Sequence, residues 1–220
     1  MRKLNSRSRP PRSGPAKSLV VFLHGYGADG ANLLDLASFL AVFLPDTSFL
    51  APDAPEKCRS NPFGYQWFPI PWIDGSSEQE LSDSFEASKR DLNEFIDNAI
   101  EERNLLPRNV ALLGFSQGTM LALSVAPQRP DPVACVVGFS GRLLNGEILQ
   151  SGKIVRPPVF LAHGDRDELV PPSSLKFSGE SLIRAGFEVE MHVSHGFGHE
   201  IAPEELKKAG SFIAKRLSAN

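Results

Sequence analysis

The sequence has 220 residues, of which 41% are hydrophobic and 22% charged, the ordinary balance of one soluble globular domain. Its formal net charge of −3 gives no reason to expect nucleic acid as a partner. The apolar runs are too short for a secretory signal or a membrane-spanning helix, and 2 cysteines are too few for a disulfide framework, so the expected location is the cytoplasm.

The first 17 residues form a basic segment. They carry six basic groups and no acid, so the rest of the chain holds 17 basic against 26 acidic groups. Such a segment could contact a membrane or act in targeting, but a solvated entry segment is the simpler interpretation. We therefore expect residues 1–17 to be poorly ordered, without stable membrane insertion, and residues 18–220 to form a single domain.

From residue 18 onwards, short apolar runs of strand length alternate with longer helical patterns. Leu19–Leu23 is a continuous apolar run, followed by helical spacing over Leu33–Leu44 and a short strand near Ser48–Ala51. A long amphipathic helix is predicted over Ser82–Arg103, with a possible capping box formed by Ser77 and Glu80. The later predicted elements are, in order, strand Val110–Leu113, helix Gln117–Ala126, strand Val133–Val137, strand Val159–Ala162, helix Ser173–Ala185, strand Phe187–Val193 and a helix near Pro203–Leu217.

This alternation predicts the fold class. Strands that are joined by crossover helices pair in parallel, because a parallel connection needs about a dozen residues or more. Several of the strands, such as Val110–Leu113, are apolar throughout, which is typical of strands buried on both faces. The sequence therefore predicts a three-layer α/β fold with a mostly parallel central sheet, in which ligands bind beyond the carboxyl ends of the strands.

The segment Gly114-Phe115-Ser116-Gln117-Gly118 lies between a predicted strand and a predicted helix and has the G-x-S-x-G pattern of a nucleophile elbow. In an elbow, the serine occupies a tight turn whose flanking positions must be small for the backbone to pass. The turn exposes the hydroxyl at a helix N-terminus, where free N–H groups favour developing negative charge. We interpret Ser116 as a nucleophile rather than only a helix cap. Ser140 lies in a similar segment that lacks the final glycine, and we do not expect it to react.

A serine nucleophile needs a base, and the base needs a third group to orient it. In α/β-hydrolases the acid and then the histidine follow the serine along the chain. Asp165 and Asp167 follow one predicted strand, and His195 and His199 follow the next. The residues alone favour Asp167 and His199 but leave Asp165 and His195 open, because either could serve only as a local hydrogen-bonding residue.

Two other histidines, His24 and His163, each precede a glycine at the end of a predicted strand. We interpret both as packing and hydrogen-bonding residues. Cysteines and histidines do not occur at the spacing of a metal site, so neither a metal nor another cofactor is expected.

Four segments, in order, resemble the phospholipase/carboxylesterase family of α/β-hydrolases, which includes bacterial carboxylesterases and acyl-protein thioesterases. They are His24-Gly25-Tyr26-Gly27-Ala28-Asp29-Gly30, Gly114-Phe115-Ser116-Gln117-Gly118, His163-Gly164-Asp165-Arg166-Asp167-Glu168-Leu169-Val170-Pro171 and Gly198-His199-Glu200-Ile201. The resemblance covers nearly the whole chain and implies the α/β-hydrolase fold. In the family's H-G-x-x-D-x-x-V-P pattern the second acid belongs to the triad, which implies Asp167, and the G-H motif implies His199.

Ester cleavage also requires hydrogen-bond donors for the oxyanion of the tetrahedral intermediate. The elbow supplies the backbone N–H of Gln117, the residue after the nucleophile. A second donor is expected from the loop after the first strand, where glycines allow close backbone approach. The resemblance implies that this donor is the backbone N–H of Tyr26.

The long loop Pro52–Gly75 is rich in aromatic residues and prolines, and loops of this length are usually functional. We predict that it forms a wall or partial lid over the site, with Trp67, Phe68 and Trp72 as substrate-binding residues. The alternative is a hydrophobic cluster that only packs the loop on the core. Many relatives have an acid after the Trp-aromatic pair where this chain has Pro69, so the resemblance leaves the substrate preference open.

These residues together predict a serine carboxylesterase that hydrolyses short to medium acyl esters through Ser116, His199, Asp167 and an acyl-enzyme intermediate. An acyl-protein thioesterase or lysophospholipase-like enzyme is the first alternative, because the same triad serves both reactions. A hydrolase-fold binding protein without activity is the second, and the complete set of site residues argues against it. The expected partner is a small-molecule ester, and the family resemblance makes a homodimer possible.

Overall fold

The computed structural model describes residues 2–144, 146–150 and 152–218. Its strands are β1 (Ser6–Arg9), β2 (Ser18–Leu23), β3 (Thr47–Pro52), β4 (Glu56–Lys57), β5 (Tyr65–Gln66), β6 (Val110–Phe115), β7 (Cys135–Phe139), β8 (Val159–Gly164) and β9 (Val189–Ser194). Its α-helices are α1 (Gly30–Leu34), α2 (Ala37–Leu40), α3 (Pro71–Asp74), α4 (Glu78–Glu102), α5 (Gln117–Val125), α6 (Ser173–Arg184) and α7 (Pro203–Ser218). Within the described ranges, no helix combines the length and apolar character needed to cross a membrane.

Within the described part of the chain, the central sheet has 7 strands in the order β1-β3-β2-β6-β7-β8-β9. All neighbouring strands pair in parallel except β1, which is antiparallel to β3. The predicted mostly parallel α/β-hydrolase sheet is therefore confirmed. The carboxyl ends of β2, β6, β8 and β9 lie at one edge of this sheet, and the candidate site residues follow those ends.

Helices cover both faces of the sheet, as the alternation along β2 shows. Leu19, Val21 and Leu23 point to one face, where they pack in a cluster with buried residues of α4, α5 and α6. Val20 and Phe22 point to the opposite face, towards α1, α2 and α7. All of these β2 side chains are fully buried, which is the physical reason for the uninterrupted apolar runs in the sequence.

The N-terminal segment differs from the expectation of a poorly ordered tail. Its side chains on Ser6–Arg9 are exposed, but its backbone forms the edge strand β1 against β3. Arg7 donates to Asp53 at 2.9 Å, and Arg2 donates to the buried carboxylate of Asp91 at 2.7 Å. Ladder hydrogen bonds and ion pairs to acidic groups of the remaining chain thus hold a segment whose composition alone resembles a solvated tail.

Among the predicted helices and strands, the helix over Leu33–Leu44 differs most from the structure. The structure divides this stretch into α1 and α2 with turns around them. Helix α1 begins early because the Asp29 side chain accepts the Asn32 N–H at 3.1 Å, and Gly30 packs directly on the β3 backbone. The predicted capping box of Ser77 and Glu80 at the start of α4 is confirmed.

Candidate active site

Ser116 lies in the turn between β6 and α5 with φ 53° and ψ −114°, a conformation that side-chain-bearing residues rarely adopt. The flanking glycines explain how the turn is possible. A Cβ on Gly114 would overlap the backbone of Gly118, and a Cβ on Gly118 would overlap the carbonyl group of Leu23 in β2. The helix can therefore start directly above the sheet, with Ser116 at its N-terminus.

Ser140 occupies a similar turn with φ 47°, so backbone strain alone does not distinguish it from Ser116. The environments of the two serines differ. Ser140 is fully buried, and its hydroxyl lies 3.4 Å from the Glu200 carbonyl oxygen. No helix begins at Ser140, so it also lacks the free N–H groups of a helix N-terminus.

Asp167 follows β8, and its side chain is fully buried. Its Oδ1 accepts the backbone N–H groups of Leu169 at 2.9 Å and Val170 at 2.8 Å. Its Oδ2 accepts the Nδ1–H of His199 at 2.8 Å. A buried carboxylate needs such donors, because without them the loss of hydration would not be compensated.

His199 lies in the loop after β9, close to the elbow. Its ring contacts the ring of Phe115, the residue before Ser116, with centroids 5.0 Å apart. Because the carboxylate of Asp167 can only accept a hydrogen bond, Nδ1 carries the single proton of the neutral ring, and in that tautomer Nε2 has the free lone pair that a base needs. Two backbone features bring the loop after β8 and the loop after β9 together. The backbone N–H of Arg166 donates to the carbonyl oxygen of Phe197 at 2.9 Å. Gly164 lies so close to the same carbonyl group that a Cβ at this position would overlap it.

Asp165 and His195, the open alternatives of the sequence, form a second Asp–His pair of their own. Oδ2 of Asp165 lies 2.8 Å from Nδ1 of His195, and Oδ1 accepts the Gly196 N–H at 2.7 Å. The hydrogen bond from His195, with that from Gly196, lowers the pKa of Asp165. The His195 side chain is 84% exposed, whereas that of His199 is only 15% exposed. The structure therefore distinguishes a buried pair, Asp167 with His199, from an exposed pair, Asp165 with His195.

The loop after β2 lies directly beside the elbow. A Cβ built on Gly25 would be 3.3 Å from Cβ of Ser116, so the backbone at Gly25 passes close to the serine. His24 holds the start of this loop, since its Nε2 accepts the Ala54 N–H at 2.9 Å and its Nδ1 donates to the Gly25 carbonyl oxygen at 2.7 Å. Burial lowers the pKa of His24, which favours the neutral ring that this arrangement requires.

Gln117 has a role that its position in the motif did not indicate. Its side-chain Oε1 accepts the Trp67 N–H at 2.8 Å, and its Nε2 donates to the Phe68 carbonyl oxygen at 2.8 Å. The side chain of the residue after Ser116 thus fixes the aromatic loop, while its backbone N–H lies at the start of α5. Sequence reasoning assigned only the backbone of Gln117, because a contact between residues 49 and 50 positions apart leaves no local signal.

The aromatic loop corrects part of the predicted substrate-binding set. Trp67 is 0% and Phe68 3% exposed, and both belong to the hydrophobic core. The Trp67 indole donates to the His24 carbonyl oxygen at 3.0 Å, so this ring supports the loop after β2 from beneath. Trp72, on α3, is 72% exposed and is the predicted residue that still offers an accessible apolar surface. The two buried rings were misassigned because aromatic content alone does not reveal burial.

The Tyr26 side chain also joins the loop after β2 to the aromatic loop. Its hydroxyl donates to Oδ2 of Asp74 at 2.9 Å, and the same carboxylate oxygen accepts the Ile70 N–H at 2.9 Å. Burial raises the pKa of the Tyr26 hydroxyl, so the group remains a donor at alkaline pH as well. The resemblance pointed only to the backbone N–H of Tyr26, because nothing local in the sequence pairs its hydroxyl with Asp74.

Known proteins resemble this chain over nearly its whole length. The phospholipase/carboxylesterase family matches residues 10–217 of the chain. Acyl-protein thioesterase 1 of Saccharomyces cerevisiae is 31% identical over 218 residues, which cover 93% of this chain and 95% of the yeast protein. Carboxylesterase SOBER1 of Arabidopsis thaliana is 28% identical over 219 residues, with 93% of each chain covered.

Among solved structures, the crystal structure of esterase PE8 resembles this chain with a TM-score of 0.91 at 39% sequence identity. The similarity covers 98% of this chain and 100% of the esterase. The likeness therefore extends over the sheet, the helices and the loops that carry the candidate site.

Proposed function

Because this chain belongs to the phospholipase/carboxylesterase family and is a carboxylic ester hydrolase, we propose that it hydrolyses short to medium acyl esters through Ser116, His199 and Asp167. The observation that carries the proposal is the buried hydrogen bond between Asp167 and His199, 2.8 Å long, beside a strained serine elbow. A serine, then a buried acid, then a histidine along the chain are the parts that acyl transfer needs in an α/β-hydrolase.

In the proposed reaction, Oγ of Ser116 attacks the ester carbonyl carbon while Nε2 of His199 takes the hydroxyl proton. Asp167 keeps the His199 ring oriented and stabilises the imidazolium that forms. The backbone N–H groups of Gln117 and Tyr26 donate to the oxyanion. His199 then protonates the leaving alcohol, and a water molecule releases the acid from the acyl-enzyme by the same steps.

The burial of two aromatic rings supports the preference for short to medium acyl groups. Trp67 and Phe68 are part of the core, so the aromatic loop leaves fewer apolar side chains for a long acyl chain than its composition suggests. We therefore propose that Trp72 on α3 supplies the apolar contact for the substrate.

Thioester hydrolysis of acylated proteins is the second candidate, favoured by the 31% identity to the yeast acyl-protein thioesterase. Esters and thioesters pass through the same tetrahedral intermediate and differ in the leaving group. Rates on a p-nitrophenyl butyrate, a p-nitrophenyl palmitate and an S-palmitoyl peptide would separate the candidates. A higher kcat/KM on the butyrate supports the ester proposal, whereas a preference for the S-palmitoyl peptide supports the thioesterase.

The nucleophile is tested by Ser116→Ala, with Ser140→Ala as the matched control because both serines have a positive φ. We expect Ser116→Ala to remove ester hydrolysis and labelling by a fluorophosphonate, while Ser140→Ala keeps both. Circular dichroism would establish that each variant is folded. More than a few per cent of residual activity in Ser116→Ala would overturn the assignment of the elbow.

The homodimer stays a prediction. Light scattering of the purified protein at several concentrations would test it, because a dimer of this chain has twice the mass of 24.0 kDa.

A further inference from the structure

His163 lies at the end of β8, is 1% exposed, and has no role in the proposed reaction. Its Nε2 lies 2.9 Å from the carbonyl oxygen of Val170. Because a carbonyl oxygen can only accept a hydrogen bond, Nε2 must carry the proton. The same nitrogen lies 3.1 Å from Oδ2 of Asp167, the oxygen that accepts the hydrogen bond of His199.

These contacts close a small ring around the acid. Oδ1 of Asp167 accepts the Val170 N–H at 2.8 Å, and the Val170 carbonyl oxygen accepts from Nε2 of His163. The His163 N–H therefore holds the turn after β8 at Val170, and through that turn it fixes Oδ1 of Asp167. Nε2 also lies 3.1 Å from Oδ2, so the imidazole ring packs against the other oxygen of the carboxylate.

The other nitrogen of His163 shows that the ring is not present for packing alone. Nδ1 is buried and has no hydrogen-bond partner among the residues that the structure describes. An unpaired buried polar atom carries a free-energy cost, which an apolar side chain at this position would avoid. This cost is offset if the Nε2–H makes a hydrogen bond that an apolar side chain cannot make, and the bond to the Val170 carbonyl oxygen is such a contact.

We propose that His163 is a positioning residue that holds Asp167 in the orientation required by His199, and this inference rests on the proposed function. Removing the His163 N–H leaves the buried Val170 carbonyl without its partner, and such a loss typically costs enough free energy to change a rate about 10- to 100-fold. We expect His163→Leu to lower kcat by about that factor with KM little changed, because the side chain lies behind the acid and away from the substrate.

Conservative variants separate positioning from packing. The amide of His163→Gln can place an N–H near the native Nε2, whereas the shorter amide of His163→Asn cannot reach Val170. We expect His163→Gln to recover at least half of the lost activation free energy and His163→Asn to behave like His163→Leu. This comparison between two polar variants also serves if the leucine variant does not fold.

The decisive experiment is a double-mutant cycle with Asp167→Asn, measured as kcat at equal folded concentration. If His163 acts through the acid, His163→Leu lowers kcat less than about 2-fold once Asp167 is already asparagine. An equal loss in both backgrounds, or a lower melting temperature with unchanged kcat, would overturn the inference while leaving the triad intact. If Asp167→Asn alone keeps its activity, the proposed function fails and this inference fails with it.

Discussion

Replacing Asp167 by asparagine tests the site most sharply, because the structure dictates how the new amide must lie. The position of Oδ1 faces two backbone donors, the N–H groups of Leu169 and Val170. An amide NH₂ there would meet donors on both sides, so the asparagine must place its carbonyl oxygen at that position. Its NH₂ then replaces Oδ2 and faces Nδ1 of His199.

The consequence for His199 is a change of tautomer. Nδ1 must accept a hydrogen bond from the new NH₂, so the ring proton moves to Nε2, which can no longer take the proton of Ser116. A comparable exchange in a serine hydrolase triad lowers kcat by about 10⁴-fold. We expect a loss of that order in kcat with a small change in KM.

Asp165→Asn is the matched control, because the same chemical change falls two residues away in an exposed Asp–His pair. Exposed pairs contribute about 0–1 kcal/mol, which corresponds to no more than about a 5-fold change in rate. Both variants would be assayed on p-nitrophenyl butyrate at equal folded concentration, verified by thermal melting. A severe Asp165→Asn with a mild Asp167→Asn would show that the acid is misassigned, and two mild variants would refute the triad geometry.

Three further predictions address the elbow, the loop and a buried acid. Gly118→Ala should lower the free energy of unfolding, measured in urea, by about 3 kcal/mol or more, because its Cβ would overlap the β2 backbone. Gly146→Ala is the control and should have little effect, because a Cβ at that position meets open space. Equal effects of the two substitutions would contradict the steric argument. Gln117→Leu leaves two buried backbone groups unpaired, so we expect a loss of about 2 kcal/mol or more in the same assay, and an unchanged urea midpoint would show that the side chain does not fix the loop. Burial raises the pKa of Glu205 above its ordinary 4.5, so its contribution is favourable at low pH and is lost as the pH rises through the raised value. The melting temperature of Glu205→Gln relative to the parent should therefore increase with pH, and a constant difference would refute this linkage.

Much of the fold follows from local pattern. Apolar runs such as Leu19–Leu23 predict strands buried on both faces, and their alternation with helical spacing predicts a parallel sheet. The elbow is equally local, since the two glycines around Ser116 are required by overlaps with the next turn and with β2. These features are readable because a steric or periodic requirement acts on residues close together in the chain.

The long-range contacts needed the tertiary structure. Asp165 and Asp167 are chemically equivalent in the sequence, as are His195 and His199, and only the folded loops pair Asp167 with His199 beside the elbow. The composition of the long loop likewise led to Trp67 being predicted as a substrate-binding residue, although the core encloses its ring.

The basic N-terminal segment has the composition of a tail, yet part of its backbone forms strand β1. It pairs with the free edge of β3, and its arginines bind acidic side chains from distant parts of the sequence. The physical reason is the same in each case. Burial, hydrogen-bond pairing and ion pairing depend on which residues the fold brings together, and no periodicity along the chain records those contacts.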